Sequence, residues 1–229
     1  AESIQPKNAA VHNNLGNVLR ETKESKQAIK CYEQAISILP DYVDAYNNLG
    51  GAHKELGNFY EAIKCYKQAI TIKPDYAGAH NNLGTVLKEL GDFKEAAKCY
   101  KKAIEIQPEN ASAYNNLGGA FKELEEFQNA IECYKKTLLI NPNHTNAINN
   151  LSLLIRETQF NKINQADKNN LKELYIFLFK RNDIDHSDIF YSAKFFLLTQ
   201  DDHEQLKLAI NSSSLLLKNK IIKNLLKEE

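Results

Sequence analysis

Adjacent asparagines return along this chain at a fixed interval. Asn13-Asn14, Asn47-Asn48, Asn81-Asn82 and Asn115-Asn116 are each followed by Leu-Gly, and a weaker copy, Asn149-Asn150, is followed by Leu151-Ser152. The interval is 34 residues. A carboxamide carries an acceptor oxygen and two N–H donors. It can therefore pair with the N–H and the C=O of one peptide unit, as a neighbouring strand would, whatever the side chains of the bound segment. The Leu and Gly beside each pair are accounted for by packing; two adjacent amides are not. Asn is also a poor helix former. The competing reading is that duplication copied these amides as solvated surface, or that they bridge adjacent units.

Other chemistry is sparse. Cys31, Cys65, Cys99 and Cys133 lie one period apart. Equivalent positions in packed helices are about 8–10 Å apart, whereas a disulfide needs Cα atoms within about 7 Å. These cysteines read as small buried residues, and no metal site is expected. His12, His53 and His80 fall at core edges, and His144 in a turn. Asp183, Asp185, His186 and Asp188 read as a loop with a helix cap. No phosphate loop, nucleophile elbow, zinc spacing or dinucleotide fingerprint is present. The chain is expected to be no enzyme and to need no cofactor.

Self-similarity at this period implies stacked units, each burying its apolar face on the next. In the unit Val43–Tyr76, numbered from 1 to 34, two segments carry apolar residues at helical spacing. The first holds Tyr46, Leu49, Gly50 and His53. The second holds Phe59, Ala62, Ile63, Tyr66, Ala69 and Ile70. Gly57-Asn58 supplies the turn between them, and Pro74 ends the second helix.

This pattern resembles the tetratricopeptide repeat: an aromatic, Leu-Gly, a large residue, then Ala, an aromatic, Ala and Pro at fixed offsets. Tyr46, Leu49, Gly50, Ala62, Tyr66, Ala69 and Pro74 occupy those offsets, with His53 in place of the usual aromatic. The resemblance covers 9–42, 43–76, 77–110 and 111–144. Residues 1–8 read as the end of a preceding repeat, and 145–160 as a degenerate fifth repeat helix. Residues 161–229 read as a C-terminal helical region without repeats that caps the array. The expected fold is all-α, a right-handed α-solenoid of helix-turn-helix repeats. The chain reads as a piece of a longer protein.

On a helical wheel, positions 4, 7, 8 and 11 form the packing face. Positions 5, 6, 9, 12 and 13 lie opposite, and the resemblance implies that they face a concave groove. Position 5 is Asn13, Asn47, Asn81 and Asn115; position 6 is Asn14, Asn48, Asn82, Asn116 and, in the weak copy, Asn150. Position 9 is mostly small (Asn17, Gly51, Thr85, Gly119), which leaves the floor open. Position 12 is basic (Arg20, Lys54, Lys88, Lys122) and position 13 acidic (Glu21, Glu55, Glu89, Glu123). The position-6 row is similar to the asparagine ladder in the superhelix of O-linked N-acetylglucosamine transferases, which assigns it the main-chain grip. Position 5, and Lys54, Lys88 and Lys122, are expected beside it. The carboxylate clamp by which other members hold chaperone C-termini is disfavoured, because Asn13 replaces its Lys and Asn82 its Arg.

The bulk properties agree with a binding module. Lys plus Arg and Asp plus Glu are 29 each, so nothing forms a polyanion-binding surface and nucleic acid is not an expected partner. No apolar run approaches the roughly 20 residues that cross a bilayer, and no signal peptide opens the chain; neither membrane nor secretion is expected, and the location reads as cytoplasmic. The first expectation is a scaffold holding a protein or extended peptide in its groove. The second is the targeting arm of a larger enzyme, since bacterial chains with such arrays resemble glycosyltransferases or methyltransferases downstream. The third is self-assembly through the C-terminal helices.

Overall fold

The structure is a computed structural model that describes residues 5–157. The described residues form helices and no strands: α1 Gln5–Glu21, α2 Ser25–Ile38, α3 Val43–Glu55, α4 Phe59–Ile72, α5 Ala77–Glu89, α6 Phe93–Ile106, α7 Ala111–Glu123, α8 Phe127–Ile140 and α9 Thr145–Glu157. None of them is long and apolar enough to cross a membrane. The expected helices at 161–229 lie outside the described residues. The chain divides into two units, Ala1–Ala120 and Phe121–Glu229; in the first, consecutive helices stack, and among the described residues of the second α8 packs against α9. The fold is an all-α solenoid of helical repeats.

The turn inside each repeat follows one rule. Gly57 and Gly91 take positive φ, 76° and 83°. Gly57 N–H donates to Lys54 O and Asn58 N–H to His53 O, at 3.0 and 2.9 Å. This double closure satisfies the last carbonyls of α3 and reverses the chain, and it requires the left-handed conformation that glycine adopts without strain. Lys23 and Glu125 occupy the same place in the first and fourth repeats with φ of 65° and 59°. Their turns close through the same bonds, so the packing of flanking helices overrides the local preference. The second helices α2, α4 and α6 stop at Ile38, Ile72 and Ile106. Each is followed by one residue with φ near −131° and then a proline, as the restriction on a residue before proline demands.

Within Ala1–Ala120, α3 packs against α2 and α4, and α5 against α4 and α6. A first helix is thus covered on two sides. This is why the buried positions are wider than a single wheel indicates. Ala45, Ala52, Ala79 and Val86, at positions 3 and 10, are fully buried. Tyr46 and His53, expected in the packing face, are only half-buried. Small residues at these places let the helices approach closely. Tyr32, Tyr66 and Tyr100 are the largest side chains in this core, and their rings lie directly on the backbone of Gly16, Gly50 and Gly84.

α1 begins at Gln5, ahead of the first full repeat at Ala9. Pro6 falls in its first turn, where a missing N–H leaves no helical bond unmade. In the unit Phe121–Glu229, α8 packs against α9. Tyr134, Leu138, Ala147 and Leu154 are fully buried there. Thr137, which stands where the other repeats have alanine, is buried and donates its hydroxyl to Cys133 O at 2.9 Å. That bond satisfies the polar atom within its own helix.

Burial also sets an alkaline limit on stability. The Cys65 and Cys99 thiols are pushed up to about 11 by desolvation, and the Tyr76 and Tyr100 phenols to about 12. For Tyr76 the bond to Asp44, 2.8 Å away, adds to the effect. These groups hold their protons in the folded state after the unfolded chain has released them. Folding stability is therefore full below the unfolded values of 9.0 and 10.0 and falls as pH rises toward 11–12. The urea midpoint is expected to be flat between about pH 7 and pH 8.5 and to drop steeply above about pH 9.5; a midpoint that rises there would contradict this burial.

Candidate functional site

The first helices lie side by side, α1 against α3 and α3 against α5. On this face the paired asparagines meet across repeats. Asn48 Nδ2 donates to Asn13 Oδ1 at 3.0 Å, Asn82 to Asn47 at 2.9 Å, and Asn116 to Asn81 at 3.1 Å. Position 6 of each repeat thus donates to position 5 of the repeat before it. Asn13 is 5% exposed; Asn47, Asn48, Asn81, Asn82, Asn115, Asn116 and Asn150 are half-buried, and Asn14 is exposed. The two asparagines of a pair are not equivalent. Asn13, Asn47 and Asn81 spend their oxygen on a neighbouring repeat. For Asn48 and Asn82, Oδ1 and the second N–H have no side-chain partner among the described residues.

The charged rows tie repeats together at the same offset, with the donor now in the earlier repeat. Arg20 Nε lies 3.0 Å from Glu55 Oε1, and Lys54 Nζ lies 4.0 Å from Glu89 Oε1. Ser25 adds a hydroxyl bond to Glu55 at 2.8 Å. Arg20 and Lys54, at position 12, therefore face the acid at position 13 of the following repeat. Partly exposed pairs of this kind contribute about 0.2–1 kcal/mol. Lys88 and Lys122 are half-buried.

The floor at position 9 differs from the open trough expected from its small residues. Tyr32 donates its hydroxyl to Asn17 Oδ1 at 2.8 Å, and Tyr100 reaches Thr85 Oγ1 at 3.4 Å. At Gly51 the Arg20 guanidinium lies overhead: a Cβ there would stand 3.0 Å from Nη1. Glycine at this position makes room for a neighbour's arginine rather than for empty space. The sequence held one signal of this, the single Arg in a row otherwise of Lys. The tyrosine hydroxyls beneath the floor gave none, because their ring positions read as core. The arrangement as a whole offers spaced hydrogen-bond donors and acceptors beside neutralised charge. Among the described residues no three His, Cys, Asp or Glu converge as metal ligands, and the cysteines form no disulfide.

Three tetratricopeptide repeat family models match the chain, over residues 41–109, 16–57 and 111–144. No curated protein matches it. Among solved structures, MamA is 25% identical, covers 63% of this chain and 84% of its own, and superposes with a TM-score of 0.57. The first tetratricopeptide domain of Spaghetti (RPAP3), bound to the HSP90 peptide SRMEEVD, is 25% identical over 52% of this chain and 94% of its own, with a TM-score of 0.51. Pseudomonas aeruginosa pilF, 17% identical, covers 98% of this chain and 99% of its own with a TM-score of 0.67, a likeness of fold.

Proposed function

The chain belongs to the tetratricopeptide repeat family, a family of protein-interaction scaffolds, and we propose that it holds an extended peptide segment along the face of its first helices. The observation that carries this reading is the position-6 row. Asn48, Asn82 and Asn116 are held at one orientation, each by one bond to the preceding repeat. Rungs about 8–10 Å apart match a main chain advancing about 3.3–3.6 Å per residue, one rung to about every third residue. Asn14 holds the same place in the first repeat, and Asn150 in the weak copy. The HSP90 peptide bound by the Spaghetti domain supports a peptide as the ligand, although the chemistry differs here: Asn13 and Asn82 stand where the resemblance expects the cationic groups of a carboxylate clamp. Lys54 faces Glu89; Lys88 and Lys122 hold the same repeat position, and this row is read as tuning the rim rather than anchoring the ligand.

The test is a set of replacements, Asn48→Ala, Asn82→Ala and Asn116→Ala together. The probe is an immobilised library of degenerate peptides of about 12 residues, long enough at about 3.3–3.6 Å each to span the rungs. Capture is expected to fall at least about tenfold, the effect of losing several main-chain bonds of about 0.5–1.5 kcal/mol each. Stability is expected to change little. Each lost inter-repeat bond costs a similar amount, and alanine returns up to about 0.7 kcal/mol of helix propensity per site. Undiminished capture by the triple variant would overturn the reading.

A further inference from the structure

The three inter-repeat amide bonds run in one direction. In each, the donor is Nδ2 of position 6 and the acceptor is Oδ1 of position 5 in the repeat before, Asn48 to Asn13, Asn82 to Asn47 and Asn116 to Asn81. The terminal torsion of an asparagine is broad and nearly two-fold when nothing fixes it. Here a flip of the position-6 amide alone would place Oδ1 against another Oδ1 and lose the bond; only a joint flip of both amides would restore it. The donor nitrogen therefore faces the preceding repeat, and its geminal oxygen is turned away from that bond. From Asn48 to Asn82 to Asn116 the face presents donor then acceptor at every rung, never the reverse. An extended main chain is polar as well: the order of its N–H and C=O groups along an axis inverts when the chain is reversed.

We propose that Asn13, Asn47 and Asn81 are positioning residues that lock the ladder's amides in one sense, and that the array in consequence accepts an extended main chain in a single direction. The burial of Asn13 suits this role, since a group that sets another's orientation needs no access to the ligand. Only one chain direction sets ligand N–H groups opposite the ladder oxygens and ligand C=O groups opposite its N–H donors. This inference rests on the ladder reading above. It adds that position 5 acts through position 6, and that the ligand's polarity is read while its side chains are not.

The experiment uses the full chain, the same degenerate peptides of about 12 residues, and a nitroxide on either the peptide N-terminus or its C-terminus. Broadening of the side-chain amide signals of Asn14 and Asn116 reports which end of the peptide lies where. With the native chain, each label is expected to broaden one end of the row only. The variant Asn13→Ala, Asn47→Ala, Asn81→Ala is expected to bind about tenfold more weakly, as restrained groups become free to reorient, and to show broadening at both ends. Its Asn48, Asn82 and Asn116 amide signals should move toward those of unrestrained amides. The aspartate variant at the same three positions keeps an acceptor oxygen and is expected to restore one-ended broadening. Should the triple alanine variant fail to fold, Asn47→Ala alone is read at Asn82, whose amide signal alone should shift. Native-like capture and one-ended broadening in the position-5 alanine variant, with capture lost on replacing Asn48, Asn82 and Asn116, would overturn the positioning role and leave the ladder standing. Capture that survives both sets of replacements would overturn the ladder itself.

Discussion

Tyr66→Ala is expected to destabilise the array by about 3–5 kcal/mol, the range for removing a fully buried aromatic and leaving its cavity. Tyr66 is 1% exposed and packs with Ala62, Leu83 and Val86. It therefore joins its own second helix to the first helix of the next repeat, and its loss weakens an interface as well as a repeat. In a stacked array stability is a sum of such units and interfaces, so the loss should appear as an earlier, less cooperative urea transition rather than a uniform shift. Tyr66→Phe separates ring from hydroxyl. No side chain among the described residues bonds the Tyr66 hydroxyl, so the phenylalanine variant should melt near the native chain. Tyr32→Phe, which loses the 2.8 Å bond to Asn17, should cost about 0.5–1.5 kcal/mol. A Tyr66→Ala variant as stable as Tyr66→Phe would show that the ring is not the core of the repeat.

Gly50→Val is expected to destabilise by about 1–3 kcal/mol, the cost of overpacking, although valine is the better helix former. A Cβ on Gly50 would lie 2.7 Å from Tyr66 Cε1 and 2.9 Å from two further ring atoms. The ring is enclosed and cannot retreat. The sign should invert when the ring is absent. Placed in the Tyr66→Ala background, Gly50→Val fills part of the cavity, removes a helical glycine, and should recover some of the lost stability. The two changes are in contact, so their effects should fail to add by well over the roughly 0.3–0.5 kcal/mol seen for distant sites. Urea melts of the two single variants and the double variant measure this coupling directly. Additive losses would mean that Gly50 is small for some reason other than Tyr66.

Much of this was legible in the sequence. Period, Leu-Gly and the terminal prolines fixed the helix pairs because each is a local demand of packing or backbone geometry. Gly57 and Gly91 announced the turns for the same reason. Lys23 and Glu125 did not, since there the surrounding helices impose a conformation that the residue itself disfavours. The buried alanines at positions 3 and 10 were missed because a wheel treats a helix as packed on one side, while α3 and α5 are packed on two. Bridging between repeats was one of the readings left open for the asparagines, beside solvated surface and a main-chain grip. Their partners stand 35 residues apart, one period and one residue, and that offset follows from how neighbouring repeats lie against each other. The wheel put positions 5 and 6 in one polar face; only the bonded geometry separates position 6, which donates, from position 5, which accepts.

The central claim is that ladder amides grip a ligand's main chain without regard to its side chains. Capture of degenerate peptides of about 12 residues that are N-methylated at every third residue, compared in each of the three frames with their unmethylated counterparts, tests it most directly. Methylation removes the N–H that a ladder oxygen would accept and leaves side chains random. A tenfold or greater loss of capture in one frame, absent when Asn48, Asn82 and Asn116 are alanine, is the predicted result. Equal capture of methylated and unmethylated peptides by the native chain would contradict the account.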